Sequence, residues 1–157
     1  MDFKIRFISE EEVGVLEDFL YEAIYVPEGE SAPPRSIINQ PELQVYISDF
    51  GKKKDDIGMV AEADGQIIGA VWVRIMNDYG HIDNNTPSFA ISVYKDYRGL
   101  GTGTDLMKEM LRVLKARGYK QASLSVQKAN YAVRMYQKVG FQIVDENEEE
   151  YIMLCQL

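Results

Sequence analysis

Between the apolar run Phe89 to Tyr94 and a helical pattern that begins at Gly103 stands Arg98-Gly99-Leu100-Gly101-Thr102-Gly103-Thr104. Alternate glycines let the backbone turn with its N–H groups facing inward, and they let a phosphate approach the chain closely. The helix that follows adds a partial charge of roughly +0.5 at its first turn, and Arg98 can add a charge-assisted hydrogen bond. The chemistry is that of a pyrophosphate cradle. Two other phosphate loops do not fit. The lysine of Gly-x-x-x-x-Gly-Lys-Ser/Thr is missing, and glycines at 99, 101 and 103 do not match Gly-x-Gly-x-x-Gly. The purely structural alternative is a flexible strand-to-helix turn.

About thirty residues on comes Asn130-Tyr131-Ala132-Val133-Arg134-Met135-Tyr136-Gln137-Lys138-Val139-Gly140-Phe141. On a helix Asn130, Arg134 and Lys138 share one stripe, and Ala132 and Tyr136 another. Alone, this is a capped amphipathic helix stopped by glycine. Taken together, the two segments resemble the GNAT superfamily of N-acetyltransferases. Ile91-Ser92-Val93 followed by the glycine loop is similar to the family's strand and Arg/Gln-x-x-Gly-x-Gly/Ala motif. Asn130 to Phe141 is similar to its Asn-x-Ala-x-x-x-Tyr-x-Lys-x-Gly-Phe segment. Lys95 departs from the family, which often has proline there.

The resemblance implies a mixed α/β domain with a central, mostly antiparallel sheet flanked by helices, and acetyl-CoA as co-substrate with no metal. It implies that Ile91 and Val93 pair with the pantetheine arm, the Val93 N–H polarising the thioester carbonyl. Backbone amides of Arg98, Gly99, Gly101, Thr102, Gly103 and Thr104 would hold the pyrophosphate, Asn130 would contact the coenzyme arm, and Tyr136 would protonate the departing thiolate. The expected reaction is direct transfer of the acetyl group to a primary amine of a small molecule or peptide. The competing readings are a coenzyme A sensor or scaffold without activity, and a transferase of longer acyl chains, set by how Val93, Val126 and Tyr136 close the pocket.

An amine of pKa near 10.4 is mostly protonated at pH 7, which costs about 4.6 kcal/mol if uncorrected. A general base, or a water chain leading to one, is therefore expected. Many relatives place a glutamate near the fourth strand, but Phe89-Ala90-Ile91-Ser92-Val93 contains no acid. His81 and Asp83, in the preceding loop, are the candidates; structurally they read as a solvated loop residue and a turn former.

Hydrophobic periodicity supplies the elements that must position these groups. Phe3 to Ile8 alternates as a strand, with Phe3, Ile5 and Phe7 on one side. Ser9 and Glu12 form a capping box ahead of a helix carrying Val13, Leu16, Phe19, Leu20, Ala23 and Ile24. Pro41 opens a second helix that runs to Phe50 and stops at Gly51. Ile57 to Ala63 and Gln66 to Ile75 form a hairpin around Asp64-Gly65. Met76 to Pro87 is loop, Phe89 to Tyr94 a strand, and Gly103 to Arg117 a helix. Ala122 to Val126 is a strand, Ala129 to Val139 a helix, and Phe141 to Val144 and Tyr151 to Leu154 are the last strands. The order β-α-α-β-β-β-α-β-α-β-β predicts a single domain over residues 1–157. Trp72 is a core residue or a wall of the cleft, and Cys155 a buried strand residue.

The chain has 157 residues, 46% hydrophobic and 27% charged, with a net charge of −8. That balance argues against nucleic acid as a partner, because phosphate backbones need a basic face. Yet Lys95 to Lys138 carries ten basic and three acidic residues, so this span holds +7 and the remainder −15. An anionic coenzyme suits the first; the second favours a cationic acceptor. Without an apolar membrane-length stretch or a leader pattern, and with one cysteine, the expectation is a cytoplasmic protein away from membranes, with a homodimer possible.

Overall fold

The computed structural model describes residues 2–157; Met1 lies outside the described residues. Seven strands form one sheet, in the order β1-β2-β3-β4-β5-β7-β6. They are β1 (Lys4–Phe7), β2 (Ile57–Ala63), β3 (Gln66–Arg74), β4 (Ser88–Val93), β5 (Gln121–Gln127), β6 (Gln142–Glu146) and β7 (Glu150–Gln156). Every neighbouring pair is antiparallel except β4–β5. The helices are α1 (Leu16–Glu22), α2 (Pro41–Gln44), α3 (Thr102–Ala116) and α4 (Ala132–Lys138).

Each face of the sheet is covered by its own core. On one side α3 presents Leu106, Met107, Met110 and Leu114 to Val71, Phe89 and Met153. On the other, Leu16, Phe19 and Leu20 of α1 pack with Val60, Ala70 and Trp72. Trp72 is fully buried, and its indole donates to the Tyr46 carbonyl at 3.0 Å, so it belongs to the core and not to a cleft wall.

The β2–β3 turn takes the form its sequence demands. Asp64 and Gly65 both have positive φ, 52° and 76°, as a two-residue type I′ hairpin requires. The α3 helix ends at Gly118, whose φ of 92° lets Tyr119 N donate back to Leu114 O at 3.1 Å.

Three helices are shorter than their apolar periodicity predicts. The first begins as a 3-10 turn, Glu10–Val15, and becomes α-helical only at Leu16. Gly14 weakens this stretch, and Glu12 is drawn back to Ser9 N at 3.0 Å and to Arg6 at 2.8 Å. The α2 helix completes one turn only. Beyond it the Val45 and Ser48 carbonyls accept from Arg74 at 3.1 and 3.0 Å, and Tyr46 O accepts from Trp72, so these acceptors serve the sheet. The α4 helix starts at Ala132, because Asn130 Oδ1 accepts from Ala132 N at 2.9 Å in the manner of a cap.

At the chain's end the acidic run is more ordered than its composition predicts. Asp145 and Glu146 extend β6, and Glu150 begins β7. The turn between them is closed by Asn147, whose Oδ1 accepts from Glu149 N at 2.8 Å and Glu150 N at 2.7 Å. Phe7 departs from its alternation: it is 49% exposed, with the Arg117 guanidinium 5.4 Å from its ring centre.

Candidate functional site

Strands β4 and β5 register at one pair only, Ser88 with Ser123. The two hydroxyls lie 3.2 Å apart, and Ser123 Oγ donates to Gly80 O at 2.8 Å. Beyond that pair the strands diverge. Tyr94 N donates to Ile68 O at 2.9 Å, which sets the β3–β4 register so that Ser88, Ala90 and Ser92 exchange hydrogen bonds with β3. By alternation, Phe89, Ile91 and Val93 turn their N–H and C=O groups toward the gap. The backbone expected to pair with an extended arm thus faces an open slit.

A cavity of about 850 Å³ occupies this slit. It is lined from both faces of the sheet. Phe89, Ile91, Val126 and Tyr136 come from the α3/α4 side, and Ala90, Ser125, Tyr46 and Glu150 from the α1/α2 side. Tyr25, just past α1, lines the cavity and donates to Ala129 O at 3.3 Å.

The glycine loop follows β4 directly. Gly99 and Gly101 have φ of 78° and 86°, and a Cβ at either would meet no atom within 4 Å. Backbone conformation therefore demands glycine there, and open space lies beside it. Gly103 has no positive φ, and a Cβ there would reach Met135 Sδ at 3.5 Å, an ordinary contact. Among the described residues the amides of residues 99–104 find no carbonyl partner, whereas Asp105 N donates to Gly101 O at 3.0 Å. Thr102 is 1% exposed, and its hydroxyl is buried without any hydrogen-bond partner among the described residues. A run of free amides, a helix start and an orphaned hydroxyl fit the pyrophosphate end of a coenzyme.

Arg98 lies elsewhere than expected. Its Nε donates to Val93 O at 2.9 Å, and its guanidinium meets Glu22 Oε2 at 3.2 Å. The side chain braces the end of β4 against the end of α1. Asn130 lines the cavity, with its carbonyl oxygen already used in capping α4.

Tyr136 is nine-tenths buried, lines the cavity, and makes no hydrogen bond through its hydroxyl among the described residues. Burial pushes its phenol up to about 12. His81 and Asp83 do not reach the cavity. Asp83 accepts from Thr86 Oγ1 and from Asn85 N, both at 2.8 Å, and these bonds hold its carboxyl below the usual range, which makes it a poorer base.

The acids that do line the cavity are Glu42, Asp78 and Glu150, and among the described residues no lysine, arginine or histidine side chain joins them. Asp78 Oδ2 accepts from the Tyr46 hydroxyl at 2.9 Å, and burial raises the Asp78 carboxyl. Burial also raises Glu150, with Glu149 and Asp78 adding to the effect. Sequence reasoning missed Tyr46, Asp78 and Glu150. Asp78 sat in a loop with nearer polar candidates, and Glu150 was hidden in an acidic run whose strand boundary depends on Asn147.

Comparison with known proteins bears on the family and the fold. The model of the acetyltransferase (GNAT) family matches residues 20–141. An acetyltransferase of Pectobacterium atrosepticum is 35% identical over 92 residues, covering 57% of this chain and 60% of the relative. The matched part is thus less than two thirds of that relative's length. An N-alpha-acetyltransferase of Sulfurisphaera tokodaii is 28% identical over 114 residues, 62% of this chain and 68% of the relative. Among solved structures, the PaiA N-acetyltransferase from Thermoplasma acidophilum in complex with coenzyme A superposes with a TM-score of 0.73 at 23% identity, covering 100% of both chains.

Proposed function

Because the chain belongs to the acetyltransferase (GNAT) family, we propose that it transfers the acetyl group of acetyl-CoA directly to a primary amine of a small molecule or peptide. One observation carries this reading. The slit has free amides and a helix start beyond one end and three carboxyls without a cationic side chain along its walls. The first suits a polyanionic coenzyme, the second a protonated amine. Direct transfer is favoured because Cys155 is buried in β7 and does not line the cavity. Acetyl-CoA supplies the activated acyl group; the protein binds it, orients the acceptor and manages protons.

A thiol-release assay with acetyl-CoA against a panel of primary amines tests this directly. Turnover with at least one amine, and slower turnover with longer acyl-CoA, is the expected result. Coenzyme binding without turnover on any amine contradicts the reading.

The orphaned hydroxyl of Thr102 yields a test with two opposite signs. A buried unsatisfied polar group costs about 1–3 kcal/mol. Thr102→Val should raise the melting temperature of the free protein, by about 2–4 °C for each kcal/mol at this chain length, yet weaken coenzyme A binding. Calorimetry showing unchanged affinity separates the hydroxyl from the coenzyme.

Tyr136→Phe should lower kcat only about tenfold, below the 10²–10⁴ typical of a positioned acid. A phenol held near 12 gives its proton to a thiolate of pKa about 8.5 only uphill, so it acts mainly as a hydrogen-bond donor. The acetyl-CoA KM should hardly change. Wild-type kcat, with chemistry limiting the rate, removes Tyr136 from the mechanism.

A further inference from the structure

An ammonium ion that enters this cavity must lose a proton before its nitrogen can attack, and the three acids are not equivalent takers. Glu42 is solvent-exposed in the first turn of α2. Asp78 already accepts from Tyr46 Oη at 2.9 Å and from Ser88 Oγ at 3.4 Å. The Glu150 carboxylate is half-buried and makes no hydrogen bond or ion pair among the described residues. On the opposite face of the sheet, the unpartnered hydroxyl of Tyr136 borders the same space. An unused acceptor and an unused donor thus flank one slit.

Resting on the primary-amine reading above, we infer that Glu150 is the general base that takes the proton from the acceptor's ammonium, with Asp78, held by Tyr46, as the positioning residue beside it. Strand pairing fixes where Glu150 stands. It registers with Gln127, on the same face as Ser125, and so projects on the acceptor side of the slit.

The proton balance closes without any further reactant. The ammonium gives one proton to the Glu150 carboxylate, and the nitrogen lone pair forms the N–C bond to the acetyl carbon. The C–S bond breaks with its electron pair on sulfur. The nitrogen's surplus proton ends on that thiolate, Tyr136 hydrogen-bonding to it, and Glu150 returns its proton to solvent. One ammonium and one thioester become one amide, one thiol and one released proton.

The groups around Glu150 support this role. Asp78 faces it from the loop after β3, Tyr46 from the turns after α2, and Tyr79 from the same loop as Asp78. Glu149 precedes it in the chain. Lys128, at the end of β5, is engaged with Glu146 at 3.4 Å and with the Tyr151 ring. Burial and the neighbouring carboxyls raise Glu150 toward neutrality, where a base is most effective. Activity should therefore be present above this raised pKa and fall as pH drops through it, at a higher pH than an ordinary glutamate would give.

Thiol release by the wild-type enzyme, Glu150→Gln, Glu150→Asp and Asp78→Asn tests the assignment. Each is measured with an alkyl primary amine and with a primary amine already neutral at pH 7, such as an aromatic amine or a hydrazide. Unchanged coenzyme A affinity shows that each variant is folded. Glu150→Gln should lose about 100-fold in kcat/KM on the alkylamine, the lower end for general base catalysis, and less than about threefold on the neutral amine. Glu150→Asp should recover part of the loss, and Asp78→Asn should move the acid limb of the pH profile to lower pH. Equal losses on both amines, or no loss on either, overturn the base assignment while the amine reading stands. If the wild-type enzyme acetylates no amine of either kind, the amine reading fails and the base assignment falls with it.

Discussion

A Gly101→Val protein is expected to fold and to bind coenzyme A about ten- to a hundredfold more weakly. Gly101 caps α3 with a φ of 86°, a left-handed conformation that a β-branched residue avoids at a cost of about 1–3 kcal/mol. Apart from its chain neighbours, no described residue lies within 4 Å of a Cβ at that position, so the native core suffers no clash. The free protein relaxes instead, by turning the loop out of the left-handed region. The amides of residues 99–104 then point elsewhere, and the coenzyme must restore the strained conformation in order to bind. Each 1.4 kcal/mol of that strain is about a tenfold loss in affinity. Gly103→Ala is the contrasting variant, because its Cβ meets Met135 and Val93 only at 3.5 and 3.9 Å and its φ is not positive. It should lose much less. Calorimetry that finds the two variants equal, or Gly101→Val unaltered, would remove the loop from the coenzyme site.

The largest stability loss is expected at Asp56. Its carboxylate takes two bonds from Arg74, at 3.1 and 2.9 Å, and the side chains are 1% and 7% exposed. The remaining Arg74 donor reaches Val45 O and Ser48 O, and the guanidinium stacks 5.3 Å from the Phe50 ring centre. Asp56→Ala leaves this charge buried and uncompensated, which costs about 3–5 kcal/mol. For a chain of this size the melting temperature should fall by about 2–4 °C for each of these. The same bonds hold the segment bearing Tyr46, so the acceptor KM should rise while coenzyme affinity stays near wild type. The paired change Asp56→Leu with Arg74→Met should regain much of the stability but not the acceptor KM, because losing Arg74 cuts the tethers to Val45 and Ser48. A loss below about 1 kcal/mol in Asp56→Ala, measured by denaturant unfolding, would mean that the pair is not the brace described here.

What the sequence revealed follows from the range of the forces involved. The hairpin at Asp64-Gly65, the α3 stripe and the glycine loop rest on local rules of φ and periodicity, and these read directly from neighbouring residues. The shortened α2 helix was hidden, since its end is decided by Trp72 and Arg74 reaching across from β3 for its carbonyls. The Arg98 contact with Glu22 was hidden for a similar reason: the two lie 76 residues apart in the chain. Asp78 and Glu150 became neighbours only through the β5–β7 pairing and the Tyr46 contact. The loop carrying His81 and Asp83 lines the cavity through Asn77, Asp78 and Tyr79, whose packing depends on contacts distant in the chain.

The lone registered pair at Ser88 and Ser123 gives the sheet an unusual mechanics. Strands β1 to β4 form one stiff leaf and β5, β7 and β6 another, riveted at a single point near one end of the slit. Parting the leaves beyond the rivet breaks no ladder hydrogen bond, so their separation is governed by the side chains wedged between them, Leu124, Val126 and Tyr136 among these. Widening by trimming such a wedge leaves backbone pairing intact. The gauge of what this slit admits is therefore set by replaceable parts, while the frame that holds them stays the same.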